Sequence, residues 1–258
     1  MAVDPKQIAE TALEQMQVAG FDDSHVSVAV SEQDELNIAH NEPSLLRSTE
    51  NYDISLVGIL DGRKAAATLT DIVEGAIADA ARGLFARAQS APQDEANAVS
   101  ADQVAHFEQG PLVADLDLLA EKTSELLEFR ASNTPKVMIE EGGATHRLSR
   151  SHELTSRGSA LSCTVGCLDL GLMCTASEGE KSSSFNYSGG RSNDLGARHA
   201  VEFFDLGEMI VDTQNQIDTH SIDSQFTGEV KLAPSAVSDL GGWLLPQRGS
   251  QALIGGSS

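Results

Sequence analysis

Residues 51–69 read NYDISLVGIL-DG-RKAAATL, and this run decides the fold class. Asn51 to Leu60 is a candidate strand. Asp61-Gly62 is a strong signal for a tight hairpin turn, because both residues tolerate the left-handed backbone that such a turn requires. Arg63 to Leu69 then returns as a second strand. Working outward, His25-Val-Ser-Val-Ala-Val30 alternates polar and apolar side chains and predicts another strand. Glu35 to Ala39 predicts one more, joined to it through the polar stretch Ser31 to Asp34 in a hairpin. Upstream, Asp4-Pro5-Lys6-Gln7 opens a helix: Asp4 caps, Pro5 takes the first position and Gln7 is placed to reach back. Ile8, Ala12, Leu13 and Met16 form its buried stripe, and Gly20 ends it in a left-handed conformation. Downstream, Asp71 to Ala88 predicts a helix with Ile72, Ile77, Ala80, Leu84 and Ala88 on one side. Residues 1–90 therefore read as an α+β domain in the order helix, four strands, helix.

Residues 91–135 read as a linker followed by an amphipathic helix. Gln89 to Val104 is polar and contains Pro92. Asp115 to Arg130 turns Leu116, Leu119, Leu126 and Leu127 inward, with charges at its ends that suit the helix dipole. Residues 136–258 read as a second, β-rich α+β domain. Val137-Met138-Ile139 predicts a strand, Glu140 to Gly143 a turn, and Thr145 to Tyr187 several short antiparallel strands closed by Ser188-Gly189-Gly190. Leu195 to Ile217 predicts mostly helix. Glu229-Val-Lys-Leu232 alternates like a strand, and Ala233-Pro234-Ser235 predicts a turn with Ser235 as N-cap. Val237, Leu240, Trp243 and Leu244 then recur at helical spacing, and Pro246 stops that helix because it lacks an N–H.

Composition narrows the function classes. The 258 residues carry a formal charge of −22, which argues against a nucleic-acid partner, since phosphate binding needs clustered Lys and Arg. Self-repulsion that favours solubility, or adaptation to a salty cytoplasm, accounts for such acidity. There is no apolar run of membrane-spanning length. The start, Met1-Ala-Val-Asp-Pro, has neither the basic nor the apolar region of a signal peptide, so the cytoplasm is the expected compartment. Three cysteines, Cys163, Cys167 and Cys174, make an odd count that suits small buried strand residues better than disulfides or a zinc site.

The sequence offers no self-sufficient active site. His152-Glu153 lacks a second histidine one turn later, with Ser156 and Arg157 there instead, so a surface pair is expected. His106-Phe107-Glu108 has the order of a deaminase ligand and its acid, but no Pro-Cys-x-x-Cys follows, and a loop is expected. Phosphate-binding glycine loops and a Gly-x-Ser-x-Gly elbow are absent from the sequence. Asp115 and Asp117 fall on opposite sides of a helix. No catalytic residue, metal ligand or cofactor is assigned. Leu240, Trp243 and Leu244 remain as a surface for core packing or for a partner, tryptophan being favoured as an interface anchor.

Two stretches carry a resemblance to a known family. Thr227-Gly228, the Glu229–Leu232 run, Ala233-Pro234 and the following helix resemble the TldD/PmbA family, whose founding members were once called modulators of DNA gyrase. Val57 through Ala88 is similar to its N-terminal domain, with a small-residue strand, Asp-Gly-Arg, an Ala-rich strand and a long Ala-rich helix. The family's TldD branch, similar to zinc-dependent peptidases, carries His-Glu-x-x-x-His on the later helix. Here that helix reads Leu240-Gly-Gly-Trp-Leu-Leu-Pro-Gln247, so the resemblance points to the metal-free PmbA (TldE) branch. It implies a subunit that pairs with a TldD-like zinc peptidase, or with itself, and shapes a cleft for unfolded peptides. A non-catalytic, self-associating structural domain is the alternative. Family members continue into a further β-rich region, so residues 136–258 are expected to be incomplete relative to them.

Overall fold

A computed structural model describes residues 4–219, 225, 227–232, 234–247 and 249. The chain forms two compact units, divided between Asp218 and Thr219. The first is built on an eight-stranded, mainly antiparallel sheet of order β3 (Arg63–Leu69), β2 (Glu42–Leu60), β1 (Asp23–Ala39), β5 (Val137–Thr155), β6 (Ala160–Glu178), β4 (Val104–Gln109), with β7 (Lys181–Ser182) and β8 (Asn186–Ser192) also paired to β6.

Helix α1 (Pro5–Ala19) starts as the sequence predicts. Asp4 Oδ1 accepts from the Lys6 N–H at 3.0 Å, Pro5 occupies the first turn, and Gly20 closes the helix at φ +99°. Strand β1 (Asp23–Ala39) then runs unbroken for 17 residues. The expected hairpin at Ser31 to Asp34 does not form. Those polar residues continue the strand because both sides are paired: Ser31 to Glu35 face Asn51 to Arg47 on β2 (Glu42–Leu60) and Ser149 to Thr145 on β5 (Val137–Thr155). The chain turns instead at His40-Asn41, both at positive φ, and again at Asp61-Gly62 into β3 (Arg63–Leu69). Three long or medium strands thus stand where four short ones are expected.

Helix α2 (Glu74–Ser90) buries Ile77, Ala81, Leu84 and Ala88 against α1 and the first strands. Gly58 lacks a side chain where the Phe21 ring packs, and Phe21 meets Phe85 edge-on at 5.4 Å. β4 (Val104–Gln109), expected as a loop, pairs parallel with β6 (Ala160–Glu178). Helix α3 (Leu116–Asn133) is capped by Asp115, whose side chain accepts from the Leu118 N–H at 3.0 Å. Leu116 faces outward, while Leu119 and Leu126 are buried.

β5 passes straight through the expected Glu140–Gly143 turn, with a bulge between Ile139 and Glu141. Gly142 and Gly143 lie inside the strand at φ +152° and +143°, backbone angles that side chains rarely adopt. Ser188-Gly189-Gly190 likewise belongs to a strand, β8 (Asn186–Ser192), rather than closing the sheet. Two long strands, β5 and β6, and the short β7 (Lys181–Ser182) replace the several short ones expected. Of the predicted helix from Leu195 to Ile217, only a 3-10 turn at Ala200–Glu202 and α4 (Leu206–Asn215) are helical.

The sheet's two faces are unlike. One face holds both hydrophobic clusters. The first joins α1 and α2 to Val26, Val28, Ile54 and Leu56. The second joins α3 and α4 to Ile139, Ala144, Leu168, Leu170, Leu172 and Cys174. Register puts these strand residues on one side: Val26 faces Leu154, Leu36 faces Ala144, and Ala144 faces Leu170. Between the clusters the chain after β4 crosses the same face, where His146 Nε2 lies 2.8 Å from the Pro111 carbonyl oxygen. Gly166 permits that crossing, since a Cβ there would stand 1.7 Å from the Pro111 oxygen. The parts expected as 1–90, 91–135 and 136–258 therefore share one sheet up to Asp218, with two cores along strands of about 55–60 Å. Among the described residues of this unit, all helices pack on that face.

In the second unit Glu229 to Leu232 forms no strand, and Val230 is 80% exposed. Helix α5 (Pro234–Gln247) takes in Ser235 rather than being capped by it, and Pro246 sits within its last turn.

Candidate functional site

The open face of the sheet is where polar side chains converge. Odd-numbered residues of β1 and β6, and of β5 beyond its bulge, point to it, and they carry a hydrogen-bonded chain across four strands that an ion pair extends to β2. Arg47 on β2 lies 2.5 Å from Glu35 Oε1 on β1. Gln33 Nε2 donates to Glu35 Oε2, and Gln33 Oε1 accepts from an Arg147 Nη1 on β5. Arg147 Nε donates to Asp169 Oδ2 on β6 at 2.5 Å, and Arg191 Nε on β8 donates to Asp169 Oδ1 at 2.9 Å.

Asp169 is the hub. Burial alone would raise its carboxyl, but hydrogen bonds and charge from Arg191 and Arg147 outweigh that and hold it below the ordinary carboxylate range. Asp169 in turn fixes both guanidinium planes. Neighbouring Cys167 is 8% exposed and its thiol is pushed up by burial, so it is a packing group rather than a nucleophile.

Beside this chain lies a cavity of about 810 Å³, bordered by Arg147, Asp169 and Arg191 on one side and Glu141, Met173 and Tyr187 on the other. Its floor is glycine. Gly143 faces Gly171 across β5 and β6, and Gly171 faces Gly189 across β6 and β8. A side chain at Gly171 would come within 3.2 Å of the Gly189 Cα, and one at Gly143 within 2.1 Å of the Leu36 carbonyl oxygen. The trough exists because three adjacent strands carry glycine at one level.

The other candidates resolve plainly. His152 and Glu153 sit on opposite faces of β5, so they are no surface pair. His152 is half-buried, with burial lowering its pKa, and Glu153 lies 3.4 Å from His25. His106 and Glu108 are 3.4 Å apart on β4, with His106 Nδ1 also 2.8 Å from the Ser162 hydroxyl. Cys163, Cys167 and Cys174 are free thiols. Among the described residues no three His, Cys, Asp or Glu side chains are placed to hold a metal ion. Leu240, Trp243 and Leu244 lie on α5 in the second unit and are 52%, 65% and 53% exposed. Gln33, Arg147, Asp169 and Arg191 belong to no motif in the sequence. Alternation within Thr145 to Ser149 places Arg147 on one face, but its partners are fixed only by pairing across the sheet.

An antiparallel α+β sheet with helices on one face and a glycine-floored trough on the other defines the class of protein. Three solved structures share this fold. TldE from Thermococcus kodakarensis superposes with a TM-score of 0.62 at 18% identity, over 81% of this chain and 47% of its own. A candidate modulator of DNA gyrase from Thermotoga maritima gives 0.56 at 9% identity, over 81% and 47%. Another from Bacteroides thetaiotaomicron gives 0.59 at 15% identity, over 76% and 47%. The chain thus spans about half the length of each of these three proteins. No family model and no curated protein matches its sequence. No described helix is long and apolar enough to cross a membrane.

Proposed function

We infer that this chain is a TldE-like member of the TldD/PmbA family, a metal-free subunit that helps a TldD-like zinc peptidase hold unfolded peptides. The observation that carries this reading is the shared fold with TldE over four-fifths of the chain. The sequence of α5 supports it, because Leu240 to Gln247 contains no histidine or glutamate to bind zinc. The open face supports it as well, offering a trough of peptide dimensions beside fixed arginines. The role of this chain is to complete the assembly and the cleft, while the partner supplies the metal and the activated water. The charge of −22 argues against direct contact with DNA. Three free thiols favour a reducing, cytoplasmic compartment.

The test mixes the purified chain with a TldD-like zinc peptidase from the same organism at micromolar concentration. Cleavage of an unfolded peptide by the mixture, and not by the zinc protein alone, is expected. Equal cleavage with and without this chain contradicts the reading. A second reading, self-association without catalysis, is favoured by the exposed apolar stripe Val237, Leu240, Trp243 and Leu244. It predicts a dimer in sedimentation experiments that Trp243→Ala abolishes while circular dichroism stays nearly unchanged.

A further inference from the structure

We propose that Arg147 and Arg191 form a carboxylate-binding site at the wall of the glycine trough, and that its ligand is the C-terminal carboxylate of an extended peptide. The peptide as source rests on the function proposed above; the carboxylate site rests on the geometry of this chain alone.

Each guanidinium spends part of its donor set on Asp169, which pins it in place. Arg147 also donates to Gln33. Nη2 of Arg147 and Nη1 of Arg191 have no hydrogen-bond partner among the described residues. Two guanidinium groups from different strands, both anchored on Asp169, therefore border one cavity with donors to spare. A carboxylate matches that arrangement, because its two oxygens accept charge-assisted bonds from two donors at once.

The rest of the trough selects what is attached to the carboxylate. The glycine floor leaves space above the strands, and the row from Asn37 to Gly189 spans roughly 15 Å at the usual strand spacing, enough for about four extended residues. The Tyr187 hydroxyl stands over Gly171 and Gly189, 3.4 Å and 2.9 Å from where their side chains would begin, and gives a hydrogen-bonding group to a peptide backbone. Glu141, at the opposite wall, favours a cationic or neutral group at the other end of the ligand. The net charge disfavours a free dianion. A phosphate bearing two charges is repelled by the acidic surface about twice as strongly as a carboxylate, although salt limits this to about 8–10 Å.

Calorimetric titration of the full chain with tetra-alanine, its C-terminal amide and inorganic phosphate tests the assignment. The free acid is expected to bind at least about tenfold more tightly than the amide or phosphate. Arg191→Gln and Arg147→Gln should each weaken binding of the acid about tenfold and leave the amide unchanged. Arg82→Gln, on an exposed position of α2, should bind like the parent. Arg191 is 64% exposed, so its replacement tests binding without threatening the fold, which a melt verifies. Equal binding of acid and amide, full binding by both glutamine variants, or no binding of the acid overturns the site. Phosphate binding as tight as the acid overturns the peptide assignment and leaves a free-anion site. Since no partner protein enters the experiment, its failure is separate from failure of the peptidase reading.

Discussion

The two faces of the sheet are made by the same strands and follow opposite rules. On the covered face β6 contributes Leu168, Leu170, Leu172 and Cys174, all at most 3% exposed. One residue over, the open face receives Cys167, Asp169, Gly171 and Met173. The covered face is stabilised by apolar area and tolerates little change in volume. The open face has no such filler from the helices, and its polar side chains pair with one another instead: Gln33 with Glu35 and Arg147, and Asp169 with Arg147 and Arg191. Stability is concentrated on one side and recognition on the other.

The largest effect expected from this division is on the covered face. Leu84→Ala in the first core and Leu170→Ala in the second should each cost about 2–5 kcal/mol, because each removes a fully buried side chain and leaves a cavity. Since β1 and β5 link the two cores along one sheet, both variants should lower a single denaturant transition up to Asp218. Two separable transitions, with Leu84→Ala moving only one, would break the picture of one sheet.

A smaller effect is expected at the hub of the open face. Asp169→Asn should cost about 1 kcal/mol at neutral pH, the arginine partners being half-exposed and screened. Its pH dependence has a definite sign. The folded carboxyl is held below its unfolded value, so its contribution is complete above about pH 4 and fades as pH falls through the folded value. The stability gap between parent and Asp169→Asn should therefore close below about pH 4, which urea titrations at several pH values measure. A gap constant down to acid pH would mean that the carboxylate charge is not what matters. Smallest of all, Trp243→Ala should leave that transition within about 0.5 kcal/mol, since Trp243 is 65% exposed.

The same contrast explains what could be read in the chain. Helix ends were legible, because caps such as Asp4, Gly20 and Asp115 act on backbone groups two or three residues away. The Asp61-Gly62 turn was legible for the same reason. The lengths of β1 and β5 were not. Ser31 to Asp34 and Glu140 to Gly143 have the composition of turns, and only partners far along the chain keep them extended. The turn at His40-Asn41 lacks the glycine that usually marks one, leaving Asn41 as its sole cue. The candidate site was hidden most completely. Its members are separated by up to 158 residues, as between Gln33 and Arg191, and no local spacing links them.

Strand β6 separates a sealed face from an accessible one, and its cysteines report on both. Cys163 and Cys174 differ by an odd number of residues, so they fall on opposite sides of the same strand. Cys174 is fully buried and its thiol is pushed up to about 12, mainly by burial. Labelling of the native chain with a thiol reagent, read by mass spectrometry, should modify Cys163 first and Cys174 only after denaturation. Equal labelling of the two in the native state would contradict the account.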